Sequence, residues 1–333
     1  MSVNPNFVKT AETTANDEAG FLKLKVRQKK FLAKDIYLFE LCHEQGAVLP
    51  AFTAGAHVTV ETPCGVRRNY SLCSDPAETG MYQIAVKRDA AGRGGSISMV
   101  ADVLEGDWLS VSGPRNNFEL NPRASNFLFI AGGIGITPIM SMMRHLKAQG
   151  NDQFKLIYCT RDAESTAFLA ELKGAQFGAH VEVHHDLGDL NNAVDLWPIF
   201  ETPTSAQVYC CGPRGLMDAV ADTSGHWPSN SVHFESFGVD ARSNAPNTAF
   251  TVHLQQTGTT LQVAANQSIL EALRASGLRV ASSCESGTCG SCRTSLLSGS
   301  AEHRDMVLSE EEKESNIMVC VSRAKSAALV LDL

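Results

Sequence analysis

From Phe21 to about Arg123, apolar and polar positions alternate in short runs: Lys23–Arg27, Ile36–Leu41, His57–Glu61, Tyr82–Val86 and Trp108–Val111. Turn clusters separate them, among them Pro63-Cys64-Gly65, Asp75-Pro76 and Thr79-Gly80. Side chains two apart share a face, so each run predicts a strand with one buried side. Many short strands at this spacing predict an antiparallel β-barrel, with an open sandwich as the alternative. At Phe127 the rhythm changes. Phe127–Ala131 is a continuous apolar run, followed by a glycine turn and a helical pattern from Pro138 to about Ala148. Phe154–Cys159, Val181–His184 and Gln207–Cys211 repeat the strand theme with helical patterns between them. Buried strands alternating with helices predict parallel βαβ units.

The stretch from Phe237 to about Ala249 is rich in Gly, Ser and Asn and predicts a linker. Phe250–Leu333 closes the chain, opening on a strand pair around Gly258. Met1–Gly20 has no periodicity and is expected to be a mobile arm. The expected organisation is a flexible tail over 1–20, a barrel over 21–123, an α/β module over 124–237, a linker over 238–248 and a last module over 249–333.

Composition narrows the function. The chain has 333 residues, enough for three modules, and 44% hydrophobic residues, too apolar for a disordered chain. No apolar run reaches the roughly 18 residues of a membrane helix, and the polar start lacks a signal core, so a cytoplasmic protein is expected. The net charge is -8, with 28 basic against 36 acidic residues. Nucleic-acid binding needs concentrated basic charge, so no nucleic-acid partner is expected, and no membrane.

The cysteines supply the first chemistry. Six of the ten, Cys42, Cys64, Cys73, Cys159, Cys210 and Cys211, are scattered through strand-like runs as small hydrophobes. The other four are Cys284-x4-Cys289-x2-Cys292, with Cys320 after a gap of 27 residues. This is the plant-type spacing for a [2Fe–2S] cluster held by four thiolates, and Gly287 and Gly290 let the loop turn its amides inward. A structural zinc site or four unrelated thiols are the alternatives.

Two glycine-rich starts supply the rest. Arg68-Asn69-Tyr70-Ser71 on a strand would point Arg68 and Tyr70 one way and Ser71 the other. A guanidinium pairs with phosphate, and a tyrosine ring can lie along a flat heterocycle. Val86-Lys87-Arg88 ends a later strand, and Gly92-Arg93-Gly94-Gly95-Ser96 opens an apparent helix, Ile97–Leu104, making a ready anion site. In the second module Gly132-Gly133-Ile134-Gly135-Ile136-Thr137-Pro138 follows a buried strand directly. Its glycines would let backbone approach a pyrophosphate, with Pro138 in the first helical turn. The GxGxxG fingerprint of ordinary dehydrogenases is broken by Pro138, and no clear acidic ribose residue follows.

With these residues in hand the chain resembles a known family. CESGTCGSCRTSLLSG with the distant Cys320 looks like a plant-type ferredoxin, and Arg68 to Leu72 resembles the Arg-x-Tyr-Ser flavin motif of the ferredoxin–NADP reductase superfamily. The order of flavin barrel, nucleotide module and carboxy-terminal ferredoxin is similar to the phthalate dioxygenase reductase family, over about residues 21–333. The resemblance implies a three-domain fold: an antiparallel flavin barrel, a parallel-sheet α/β NAD domain and an α+β β-grasp ferredoxin. It implies that FMN lies against Arg68, Asn69, Tyr70, Ser71, Val86, Lys87, Gly94, Gly95, Ser96, Thr137 and Phe237. Phe237 would cover the flavin ring, where packing or anchoring of the linker is the plainer alternative. NAD would lie against Gly132, Gly133, Gly135, Thr137, Pro138, Cys211, Gly212 and Pro213. Cys284, Cys289, Cys292 and Cys320 would hold the cluster.

The activity so implied is that of a reductase component. Electrons pass from NADH to FMN to the cluster and on to a terminal Rieske-type oxygenase that attacks or demethylates an aromatic ring. Hydride transfer needs no residue as acid or base, only two rings stacked at about 3–3.5 Å. FAD is the alternative flavin and NADPH the alternative donor; Arg161 could meet a 2′-phosphate, but Asp162 beside it spoils the cage. A haem monooxygenase, a quinone or a ferric chelate are alternative acceptors, and a redox sensor is the alternative class. His184-His185 would point to opposite faces of a strand and make a poor metal pair. The Glu run after Ser309 suits a capped, solvated helix start.

Overall fold

The computed structural model describes residues 20–90, 92, 94–228, 230–237, 247–282, 285, 287–288 and 290–333. The expected tail and linker lie almost wholly outside them.

The alternation in the first module folds as expected. Six antiparallel strands, β1 (Phe21–Ala33), β2 (Ile36–Cys42), β3 (His57–Glu61), β4 (Arg67–Ser71), β5 (Met81–Lys87) and β6 (Trp108–Ser112), lie in the order β4-β3-β6-β1-β2-β5. Leu22, Leu24 and Val26 point inward from β1, against Phe39, Val58 and Ile84. Bulges after Val26 and Phe31 let this long strand serve β6 with its first part and β2 with its second. A bridge between Leu72 and Ile84 joins the two edges, so the sheet closes as a barrel where β4 ends. One helix, α1 (Gly95–Asp102), crosses the barrel. It opens two residues before the sequence pattern, because Gly94 takes φ +88° and turns the chain directly into the helix. At its other end Lys29 Nζ donates to the carbonyls of Val103 (2.8 Å) and Val100 (2.6 Å), covering orphan acceptors of the last turn.

The second module is a parallel sheet of β7 (Phe127–Gly132), β8 (Phe154–Thr160), β9 (Val181–His185), β10 (Gln207–Cys211) and β11 (Val232–Glu235), ordered β11-β10-β7-β8-β9. The order reverses between β7 and β10, the topological switch point of a doubly wound sheet. Side chains on β7 alternate between two cores. Phe127, Phe129 and Ala131 meet α2 (Ile136–Ala148), while Leu128 and Ile130 face α5 (Arg214–Thr223). One-turn helices α3 (Leu169–Leu172) and α4 (Trp197–Phe200) complete the layers. The core around α2 continues into the barrel through Ala33, Ile36, Leu38, Ala54, Cys73, Ala85 and Phe118. His184 and His185 diverge as expected, His185 to Thr160 Oγ1 (2.9 Å) and His184 to the Asn192 carbonyl.

The third module has its own core. Strands β12 (Phe250–Leu254), β13 (Thr260–Val263), β14 (Arg293–Ser298), β16 (Asn316–Met318) and β18 (Ala328–Leu331) form a mixed sheet in the order β13-β12-β18-β14-β16. β12 and β18 are the parallel centre, and α6 (Ile269–Ala275) packs across it, the arrangement of a β-grasp. Ser268 and Glu271 form a capping box that starts α6. A short pair, β15 (Ala301–Glu302) with β17 (Arg323–Ala324), braces the far edge. Gly258, at φ +65°, turns β12 into β13 as the sequence requires. Ser309 caps the one-turn helix α7 (Glu310–Lys313) with Glu312 in a second capping box, the structural account of the Glu run.

Candidate functional site

β4 carries the first group of side chains. Its pleat leaves Arg68 and Tyr70 half-buried on one face, while Ser71, 5% exposed, turns to the other. The hydroxyls of Tyr70 and Ser71 are both buried and have no hydrogen-bond partner among the described residues. Leaving a hydroxyl so costs about 1–3 kcal/mol, which a bound ligand with polar atoms at this strand would recover. Burial pushes the Tyr70 phenol up to about 12, so it stays a proton donor through neutral pH. Asn69 is exposed and its amide oxygen accepts from Thr59 Oγ1 (2.8 Å). On β5 Val86 is buried and Lys87 exposed.

The start of α1 lies beside this strand. No side chain caps it, so its first N–H groups are open to an anion. Gly95 is tightly placed: a Cβ there would stand 3.0 Å from Arg68 Cγ and 3.2 Å from Arg68 Nε, so a side chain would push Arg68 aside. Arg68 therefore lies across the helix start, a guanidinium and a positive helix end facing one site. The Asp89 amide donates to Ser96 Oγ (3.0 Å), which leaves the Ser96 proton for another acceptor. These groups fit a flavin: a phosphate at α1 and Arg68, and ring polar atoms at Tyr70 and Ser71. Phe237 follows β11 and is 47% exposed.

The switch point builds the second site. Gly132 ends β7 and Gly212 follows β10, and each approaches the other closely: a Cβ on Gly212 would stand 2.9 Å from Gly132 Cα. A Cβ on Gly135 would stand 2.1 Å from the Cys211 carbonyl oxygen, and one on Gly132 would stand 2.5 Å from Pro213 Cδ. Only glycine lets these two loops meet. Gly133 takes φ +52°, and Tyr158 Oη donates to its carbonyl (2.9 Å). Thr137 and Pro138 are buried in the first turn of α2, with Thr137 Oγ1 donating to the Ile134 carbonyl (3.1 Å). Cys211 is fully buried, and burial holds its thiol protonated. The crevice above these strand ends is where open α/β sheets take nucleotides.

In the third module Cys292 is 2% and Cys320 3% exposed, within one core. Pairing of Arg293 with Met318 brings their chain segments side by side, and the Val319 amide meets the Cys292 carbonyl at 3.4 Å. Cys284 and Cys289 lie outside the described residues. Between them Gly287 takes φ +77° and sits so tightly that a Cβ would meet Val321 Cγ2 at 2.8 Å and Asp305 Cα at 3.1 Å. Two buried thiols and a loop folded this closely suit a cluster wrapped in backbone. The three modules meet around a cavity of about 280 Å³. Thr288 and Met306 of the third line it with Phe118 of the first and Tyr209 and His233 of the second.

One residue near both sites carries no motif. Arg144, on α2, is half-buried between the barrel and the α/β module. A basic residue just after the wholly buried run Ile136–Met143 is the only signal the sequence offers.

A barrel with an anion cradle, a switch-point crevice and a cysteine loop on a β-grasp define a flavin-, nucleotide- and iron–sulfur-dependent oxidoreductase. The chain matches family models for an oxidoreductase FAD-binding domain (residues 23–120), an oxidoreductase NAD-binding domain (129–222) and a 2Fe-2S iron-sulfur cluster binding domain (252–325). It is 57% identical to the phthalate dioxygenase reductase of Burkholderia cepacia, over 96% of this chain and 100% of that protein. It is 58% identical to the phthalate 4,5-dioxygenase oxygenase reductase subunit of Pseudomonas putida, over 94% and 97%. A solved phthalate dioxygenase reductase, described as a modular structure for electron transfer from pyridine nucleotides to [2Fe-2S], superposes with a TM-score of 0.77 at 57% identity, covering 95% of this chain and 99% of that one. The protein belongs to the phthalate dioxygenase reductase family. No helix among the described residues is long and apolar enough to cross a membrane.

Proposed function

We propose that the protein is the reductase component of a two-component Rieske oxygenase, taking electrons from NADH and delivering them to a separate oxygenase in the cytoplasm. Its similarity to phthalate oxygenase reductases over nearly the whole of both chains carries this reading. Bound in these sites, FMN would accept a hydride from NADH and the [2Fe–2S] cluster would pass electrons on singly. The chain's part is to bind, align and exclude water. Arg68 and the start of α1 would hold the FMN phosphate, with Gly94, Gly95 and Ser96. Tyr70, Ser71, Asn69, Val86 and Lys87 would line the ring, with Thr137 reaching it from the α/β module and Phe237 covering it. Gly132, Gly133, Gly135, Pro138, Cys211, Gly212 and Pro213 would admit the nicotinamide half of NADH. Cys284, Cys289, Cys292 and Cys320 would ligate the cluster. A cradle with one guanidinium and one helix start suits a single phosphate, which favours FMN although the flavin family model is named for FAD.

NADH is favoured by the end of β8. The Ser165 amide donates to Asp162 Oδ1 (2.8 Å), and this hydrogen bond holds the Asp162 carboxyl below its ordinary range. A fixed negative charge next to Arg161 repels a 2′-phosphate. A haem acceptor is the second reading, since the chain is 38% identical to part of an intact self-sufficient cytochrome P450 monooxygenase. The purified protein should show flavin and cluster absorption bands, bleach with NADH, and support product formation by a phthalate-type Rieske oxygenase. Bleaching without electron delivery to any Rieske component, together with rapid reduction of a haem partner, would overturn the first reading.

A further inference from the structure

We infer that Arg144 is a positioning residue for hydride transfer, holding the flavin strand at a fixed angle to the nicotinamide loop. The inference rests on the proposed function and goes beyond it in naming what aligns the two sites. Arg144 lies seven residues after Thr137 on α2, two helical turns along the same face. That face meets the barrel. Nη1 donates to the Cys73 carbonyl (2.6 Å) and to Gln83 Oε1 (2.9 Å), both in the barrel. Nε and Nη2 form a fork on Glu171 of the α/β module, at 2.9 and 2.8 Å. The guanidinium carbon is 5.7 Å from the centre of the Phe168 ring. A planar fork with donors on several sides can hold two modules at one angle, which a lysine point charge cannot do.

Cys73 stands two residues after Ser71, where β4 leaves the sheet, and its amide donates to the Gln83 carbonyl (2.9 Å). Gln83 Nε2 in turn donates to Glu40 Oε1 (2.9 Å). Arg144 thus fastens the barrel seam at the root of Arg68, Tyr70 and Ser71. The helix that carries it begins beside Gly132–Gly135. One side chain ties the element under one ring to the element under the other. The apolar part of the interface is non-directional, so orientation falls to its hydrogen bonds; the Lys34 amide on the Glu164 carbonyl (2.7 Å) and Tyr209 Oη on the Glu119 carbonyl (3.1 Å) are others, but Arg144 is the one that reaches the seam where β4 ends. It touches neither ring site itself, so its loss should slow transfer without weakening either ligand.

The test is Arg144→Met in the holoprotein, read by stopped-flow reduction of the bound flavin over a range of NADH concentrations. Flavin affinity is measured separately by fluorescence titration of the flavin-free protein. The limiting rate should fall about 10- to 100-fold, the scale of a misplacement near 1 Å. The NADH and FMN dissociation constants should stay within about threefold. A limiting rate within twofold of the parent overturns the inference, as does a loss carried wholly by either dissociation constant. If Arg144→Met does not fold, Gln83→Leu decides, since it leaves the Arg144–Glu171 fork intact: a fall of about threefold or more supports the inference and an unchanged rate overturns it. A parent protein that NADH does not reduce would instead sink the proposed function.

Discussion

Arg68 and Gly95 act as a pair. The glycine leaves the Arg68 side chain room beside the helix start, so both positive groups would meet the proposed phosphate. Arg68→Ala should remove a charge-assisted hydrogen bond of about 1.5–3 kcal/mol, raising the FMN dissociation constant roughly 10- to 100-fold. Fluorescence titration of the flavin-free protein measures this, and iron and sulfide should remain stoichiometric. His233 makes a different prediction. Its ring stacks on Tyr209 at 4.6 Å between centroids and meets Gln207 Oε1 at 2.8 Å. Burial lowers its pKa below the ordinary value. The unfolded chain therefore takes up a proton near pH 6.5 that the folded chain refuses, and stability is full above that pH and declines below it. Melting temperatures of the parent should fall as the pH drops below about 6.5, and His233→Phe should make that fall shallower.

At the scale of elements, the ends matter most. Lys29 holds the C-terminus of α1 by two carbonyls, and the N-terminus of the same helix is the proposed phosphate site. Lys29→Met should loosen the helix and weaken FMN binding severalfold, although Lys29 touches no ligand; the same titration checks it. In the third module Cys320→Ala should abolish stable cluster assembly, measured as loss of iron and sulfide, because β14 and β16 bring its segment beside Cys292. These elements differ in how plainly the chain announces them. Most strands of the barrel and the parallel sheet were legible, because burial of one or both faces writes period-two or continuous apolar runs; β11, half-buried at the sheet edge, and the polar second half of β1 were not. Glycine loops were legible too, since close backbone approach excludes every other residue. Arg144 and Lys29 were not. Each bonds to groups 61 to 74 residues away, and no local pattern tells an inward-turned cation from a solvated one. The β15–β17 pair was equally hidden, being two residues per strand.

The molecule as a whole divides its work by module. A chain truncated after Asn244 keeps the barrel and the parallel sheet and loses the β-grasp. It forfeits the contact of Met306 with the α5 side of the sheet and a hydrogen bond from Arg214 to the Arg304 carbonyl (3.4 Å). NADH-dependent ferricyanide reduction should persist in it, while cytochrome c reduction and support of an oxygenase should fall sharply. Full oxygenase turnover by the truncated protein would mean that electrons leave by another port. Heat should divide the chain differently from function. The core around α2 runs without a break from the parallel sheet into the barrel, whereas the β-grasp keeps a core of its own. The barrel has a second core inside it, but opening either module exposes the core they share, so the two should melt together. Calorimetry on the intact protein should therefore resolve two cooperative transitions instead of three, and added FMN should raise the melting point of the barrel and the nucleotide module together, leaving that of the β-grasp unchanged.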